Sequence, residues 1–241
     1  MEVLNIFSAG AAQALVTQVA RQFPANETQR INARYGAVKS VQTQVRAGEP
    51  ADVVILTDTL IDEMIAEGLL VPGSRVDLGT VETGIAVRAG IVPPEVSDTA
   101  MLRTALLEAG LIICPDPAVA TAGRVLLGVL NRLGIRQAVA PRLQYCVSGY
   151  EAMQHLARTI GPRDLGVMQV TEIIAQESIL LAGSLPEAMQ EIVVYSAALS
   201  TNSANPERSL AFIRDLTGDS LQLRMAGFGT SPAKLPQQNA P

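Results

Sequence analysis

At 241 residues the chain is long enough for one large domain or two lobes of ordinary size. Hydrophobic residues make up 48% and charged residues 17%, which predicts a well-filled core and excludes wholesale disorder. A net charge of −5 argues against a nucleic-acid partner, and no apolar run is long enough for a membrane span.

Val3 to Phe7 reads as a buried strand, Ser8-Ala9-Gly10-Ala11 as a small-residue turn, and Leu15, Val16, Val19 and Phe23 as one face of a helix stopped at Pro24 and Asn26. Ser8 is placed to cap that helix, a reading that for this residue alone stands ahead of ligand binding. The run from Arg30 to Asp58 organises the rest. A short strand (Ile31 to Tyr35) breaks at Gly36, and Val38, Val41 and Val45 follow at helical spacing. Gly48 and Pro50 end this helix, and Val53 to Leu56 forms a buried strand. This is a βαβ unit, with parallel strands and an anion site at the amides of Ala37, Val38, Lys39 and Ser40. Lysine occurs only at Lys39 and Lys234, and a lysine in a helix's first turn opposes the helix dipole. A nearby anion would account for Lys39; otherwise it is a solvated side chain.

Thr57-Asp58-Thr59 opens a helix through Ile65, ended by Gly68, and Pro72-Gly73 is a turn. Glu82 to Arg88 is a strand expected to leave one lobe and enter another. A proline-bearing loop (Gly90 to Ser97), a helix (Met101 to Ala109) and a strand (Leu111 to Cys114) follow. The run Asp116 to Gly123 then repeats the strand, small-residue loop and helix start, leading into a helix from Val125 to Leu133. Leu143 to Val147 is a strand, and Ser148-Gly149-Tyr150 opens a helix through Leu156. Asp164 to Val170 and Ile192 to Leu199 are strands, the second crossing back. Helices from Asn205 to Leu216 and from Leu221 to Met225 precede Gly227-Phe228-Gly229 and a loose Pro/Gln tail.

Such alternation predicts an α/β fold with mostly parallel sheets. Four strand-to-helix turns carry small or hydroxyl residues: Ser8–Gly10, Gly36–Ser40, Thr121–Gly123 and Ser148–Tyr150. Ligands in such sheets lie beyond the carboxyl ends of strands, so four helix N-termini are expected to converge on one anionic guest. Cys114 and Cys146 lack ligand-spaced neighbours, so no metal or other cofactor is expected. Buried thiols are the favoured reading, with placement on adjacent strands as the alternative. The only histidine, His155, sits in an apolar helical pattern, which leaves a Ser/His/Asp triad without a base.

Together the runs RAGEPADVVIL (46–56), VPGSRVDL (71–78), GIAVRAG (84–90), PEVSDTAMLRTALLEA (94–109), DPAVATAGRVLLGVLNRLGI (116–135), LGVMQVTEI (165–173) and YSAALS (195–200) resemble the periplasmic molybdate-binding protein family. These are solute-binding components of ABC importers. The resemblance covers about residues 3 to 230 and implies the two-lobed type II periplasmic binding-protein fold. Residues 1–82 with 200–241 would form one lobe and 83–199 the other, joined by crossover strands near 80–88 and 192–199.

The family's oxyanion pocket draws hydroxyls and amides from the four turns, plus a tyrosine on a late strand. By resemblance, Ser8 matches the first serine and Lys39, beside Ser40, stands in the place of the second. Ala122 lies in the third loop beside Thr121, Tyr150 replaces a small aliphatic residue, and Gln169 replaces the tyrosine. The expected ligand-binding set is Ser8, Ala9, Gly10, Val38, Lys39, Ser40, Thr121, Ala122, Gly123, Gly149, Tyr150 and Gln169. Lys39, Tyr150 and Gln169 suit a carboxylate-bearing organic anion better than a tetrahedral oxyanion. Tyr150 reads equally as a core or interface aromatic, Gln169 as satisfying a neighbouring loop, and Arg124 as a surface residue or a further carboxylate contact.

The leading expectation is a monomeric binding protein that hands a small anion to an ABC permease. The alternative is an isomerase acting on an unsaturated tricarboxylate such as aconitate, as some relatives of the family do, with Lys39 or Tyr150 as acid or base. A cytoplasmic sensor using the same cleft is a third reading, without an attached DNA-binding segment. The beginning MEVLNIFSAG shows no signal peptide, so the chain is read either as periplasmic or secreted after leader removal, or as cytoplasmic if Met1 is the native start.

Overall fold

The computed structural model describes residues 2–23 and 29–230. The expected helix stop at Pro24 and Asn26 and most of the loose tail lie outside the described residues. The strands, in chain order, are β1 (Glu2–Ala9), β2 (Gln29–Gly36), β3 (Val53–Thr57), β4 (Val76–Val81), β5 (Thr83–Arg88), β6 (Ile112–Pro115), β7 (Leu143–Cys146), β8 (Leu165–Gln169), β9 (Ile179–Ser184) and β10 (Val193–Leu199). They form two sheets, ordered β2-β1-β3-β10-β4 and β7-β6-β8-β5-β9. The helices are α1 (Gln13–Gln22), α2 (Val38–Arg46), α3 (Asp58–Ala66), α4 (Thr99–Glu108), α5 (Thr121–Arg132), α6 (Arg136–Val139), α7 (Gly149–Arg158), α8 (Val170–Ile174), α9 (Pro206–Thr217) and α10 (Ser220–Met225).

The βαβ run behaves as its pattern dictates. Val38, Val41 and Val45 are buried on one face of α2, and every residue of β3 is buried because helices cover both faces of the sheet. α2 stops where Gly48 takes a φ of +83°, a conformation that favours glycine. β2 and β3 are both parallel to β1, which lies between them. The first core gathers Ile6, Phe7, Leu15, Ile55, Ile61 and Phe212. The second sheet packs one face on Leu102, Leu126 and Leu130 and the other on Ala152, Met153 and Leu156.

Each sheet is mostly parallel, as expected, with a single reversed strand. β10 runs antiparallel to β3 and β4, and β5 runs antiparallel to β8 and β9. These strands carry the chain between sheets: β4 ends at Val81 and β5 begins at Thr83, so no crossover helix reverses the direction. β10, grouped with the second lobe on sequence, pairs inside the first sheet. β4, β9, α6 and α8 were not foreseen. β4 is interrupted by Asp77 and Gly79, and β9 is mostly half-buried or exposed, so neither shows a clean apolar period.

Cys114 and Cys146 do lie on adjacent strands. Cys114 is registered with Tyr145, so Cys146, one residue on, faces the opposite side of the sheet. Both thiols are free, and Cys114 packs in the core layer that contains Leu126 while Cys146 packs against the layer of Met153.

Candidate functional site: an interlobe cleft at four helix starts

Between the sheets lies a cleft of about 460 Å³ including its mouth. A tight turn at Gly10–Ala12 leads into α1 and reaches it from the first sheet, as does α2, while α5 and α7 reach it from the second. The leading turn, α2 and α5 are preceded by Ala9, Ala37 and Ala120, which have no side chain to cap them. Their first-turn amides therefore have no capping side chain as acceptor. Only α7 is capped: Ser148 accepts from the Glu151 amide at 3.2 Å.

Of the expected residues, Ala9, Gly10, Val38, Thr121, Ala122, Gly149, Tyr150 and Gln169 line this one cavity. Gln169 is 2% exposed, and neither its Nε2 nor its Oε1 has a hydrogen-bond partner. An amide buried with both ends unpaired is costly, and it sits in the wall of the cleft.

Four expected residues do not line the cleft. Ser8 is still inside β1, fully buried, with its hydroxyl donating to the Ala9 carbonyl at 2.9 Å. It neither caps a helix nor meets the cavity, because the strand runs on through Ala9. Lys39 is exposed and lines a neighbouring cavity with Asp58, Arg124 and Glu191. One residue along a helix turns the side chain by about 100°, so Val38 faces the cleft and Lys39 turns away from it. Its backbone amide donates instead to the Val119 carbonyl of the opposite lobe at 3.2 Å. Ser40 is half-buried beyond the cleft. At Gly123 a Cβ would overlap the Pro115 carbonyl, so this glycine serves the close seating of α5 on the end of β6. Arg124 is held by Glu191 through two hydrogen bonds of 3.0 and 2.6 Å.

Three titratable side chains outside the expected set also line the cleft: Tyr35, Glu172 and Tyr195. Tyr195 comes from β10 and lines the cleft with Thr121, and burial, then the charge of Glu172, raises its pKa. Burial also raises the pKa of Tyr35, opposed by a hydrogen bond with Thr17. Glu172 is half-buried, lining both the cleft and the open cavity beside it, and burial pushes its pKa up to about 7. An acid in the first turn after the apolar strand β8, beyond its carboxyl end, is the available signal for it. Among the described residues no lysine or arginine lines the cleft, and no cluster of His, Cys, Asp or Glu could hold a metal ion.

Residues 4–229 match the family described as bacterial extracellular solute-binding protein. The chain belongs to that family. This solute-binding protein is 26% identical over 195 residues to an aconitate isomerase from Pseudomonas sp, covering 80% of this chain and 72% of the relative. It is 22% identical over 198 residues to the molybdate-binding protein ModA of Escherichia coli (strain K12), covering 81% and 76%. Its fold matches the periplasmic molybdate-binding protein of Azotobacter vinelandii with a TM-score of 0.78 at 21% identity, over 95% of this chain and 100% of that one. The two sheets are thus the lobes of a type II periplasmic binding fold, and the solute-binding family expected from sequence is the one the chain belongs to.

Proposed function

We propose that this solute-binding protein captures a small organic acid, one that carries both a carboxylate and a hydroxyl, between its lobes and presents it to an ABC permease from the periplasm. Residues 2–82 and 193–230 would then move as one lobe and 83–192 as the other. The observation that carries the reading is the unpaired amide of Gln169 in a wall of helix starts. Its Nε2 needs an acceptor and its Oε1 needs a donor. A fully ionised tetrahedral oxyanion such as molybdate offers acceptors only, whereas a hydroxy acid or partly protonated carboxylic acid offers both. Tyr35, Tyr150 and Tyr195 add phenols that can donate to a carboxylate. Lys39 takes no part in holding the carboxylate, because it is exposed and lines a neighbouring cavity.

A thermal-shift panel of hydroxy acids, di- and tricarboxylates, molybdate, tungstate and sulfate tests this, since a ligand bound only by the folded state raises the melting temperature. Stabilisation by hydroxy acids is expected; stabilisation by molybdate and tungstate alone would refute the organic-acid reading.

One observation favours a second reading, an isomerase of unsaturated tricarboxylates. Glu172, with a pKa near neutrality, lies in the same cleft as Tyr195. Such a carboxylate can take a proton from a methylene carbon as the double bond shifts, and return it at the other end of the allylic system. Incubation with cis- or trans-aconitate, followed by ultraviolet absorbance and chromatography, decides between the two. An unchanged acid rules out the isomerase.

A further inference from the structure

Among the described residues Glu172 is the one carboxyl in the cleft wall, which holds no lysine or arginine, and the chain makes room for it with two glycines. A Cβ at Gly10 would lie 2.6 Å from Glu172 Oε1, and one at Gly149 would overlap the carboxyl. Gly10 begins the turn into α1 and Gly149 is the first residue of α7, so the carboxyl sits between helix starts of opposite lobes. That is where the first-turn amides would receive a guest's charge.

Few other charges face it. Arg21 of α1 shares with Glu172 a second cavity that adjoins the cleft, Tyr150 of α7 shares both cavities, and Tyr195 faces it from β10. Glu151, His155 and Arg158 line a different cavity beside α7, and Arg88 lies at the far end of β5, paired with Ile179. The turn at 10–12, β8 and β9 bring no ionisable side chain. The carboxyl changes charge near neutral pH because burial raises its pKa to about 7.

We propose that Glu172 sets the specificity of the cleft: ionised, it repels guests that carry charge on every oxygen, and protonated, it donates a hydrogen bond to a bound carboxylate. This rests on the anion-binding reading above. Each anion is then taken up with about one proton, and molybdate or sulfate is disfavoured at and above neutral pH.

Calorimetry of the wild type and Glu172→Gln with malate and with molybdate, from about pH 6 to about pH 9, tests it, since neither anion titrates there. Wild-type affinity is expected to fall about tenfold per pH unit above about pH 7. Glu172→Gln keeps the shape of the side chain and cannot ionise, so its affinities stay flat and its molybdate affinity exceeds the wild type's at least about tenfold at about pH 8. Glu172→Ala provides the same comparison should the glutamine variant fold poorly, and the wild-type pH profile needs no variant. Binding that is flat in the wild type, or equally sloped in wild type and variants, overturns the inference and leaves the anion reading standing. No binding of any acid or oxyanion by any of the proteins at any pH overturns the anion reading, and the inference with it.

Discussion

Gln169 is where the cleft's unmet hydrogen bonding concentrates. Replacing it with leucine, of similar volume, removes two unpaired polar atoms from a buried site. Gln169→Leu is expected to stabilise the empty protein by about 1–3 kcal/mol in urea unfolding while weakening ligand binding by a similar amount, as two hydrogen bonds are lost. Lys39→Ala should leave affinity within about twofold, because its ammonium is exposed outside the cleft. A large loss in that variant would return Lys39 to the site. The contrast shows what residue type alone could tell. Gln169 was legible as a replaced ligand position, but whether its amide was already satisfied depended on neighbours distant in sequence. Lys39 looked decisive because lysine is rare here, yet one step of helical rotation separates it from Val38, which does line the cleft.

The elements that build the site are helix starts set at strand ends, and their spacing is held by small residues. α5 is the clearest case, because Gly123 lets its first turn sit against the Pro115 carbonyl. Gly123→Ala must push backbone against backbone, so a loss of roughly 2–4 kcal/mol on thermal unfolding is expected, with α5 displaced from the cleft. An unchanged melting temperature would mean the contact relaxes freely. The strands and helices near the cleft were readable from period and punctuation, since α2, α5 and α7 each show apolar residues at helical spacing. α8 and β9 were not. A five-residue helix has too few turns to show a period, and a half-exposed strand has no consistent apolar face.

For the whole molecule, the groups that span the lobes decide how the cleft behaves. The Lys39 amide donates to the Val119 carbonyl and joins the two lobes, and Tyr195 of β10 shares the cleft wall with Thr121 of α5. Glu172 adds a pH term. Its pKa in the fold, about 7, lies above its ordinary value of 4.5, so the folded state holds the proton more tightly. Its contribution to stability is therefore full below about pH 4.5 and is lost as pH rises through about 7. Melting temperatures across that window should fall for the wild type and flatten in Glu172→Gln, the difference reaching on the order of 2 kcal/mol after allowance for water at the cleft mouth. Parallel profiles would show that Glu172 is better solvated than its burial implies.

By itself the sequence determined the α/β class and the four turns that meet at the cleft, because those are properties of local period, glycine placement and run length; the two lobes followed from the family resemblance. Only the tertiary structure decided the interior of that cleft: Ser8 and Lys39 out, Tyr35, Glu172 and Tyr195 in. Which side chain faces a shared cavity depends on strand register and helix phase across two lobes. β10 makes the point, since it returns from the second lobe to bring Tyr195 against Thr121, some seventy residues earlier in the chain.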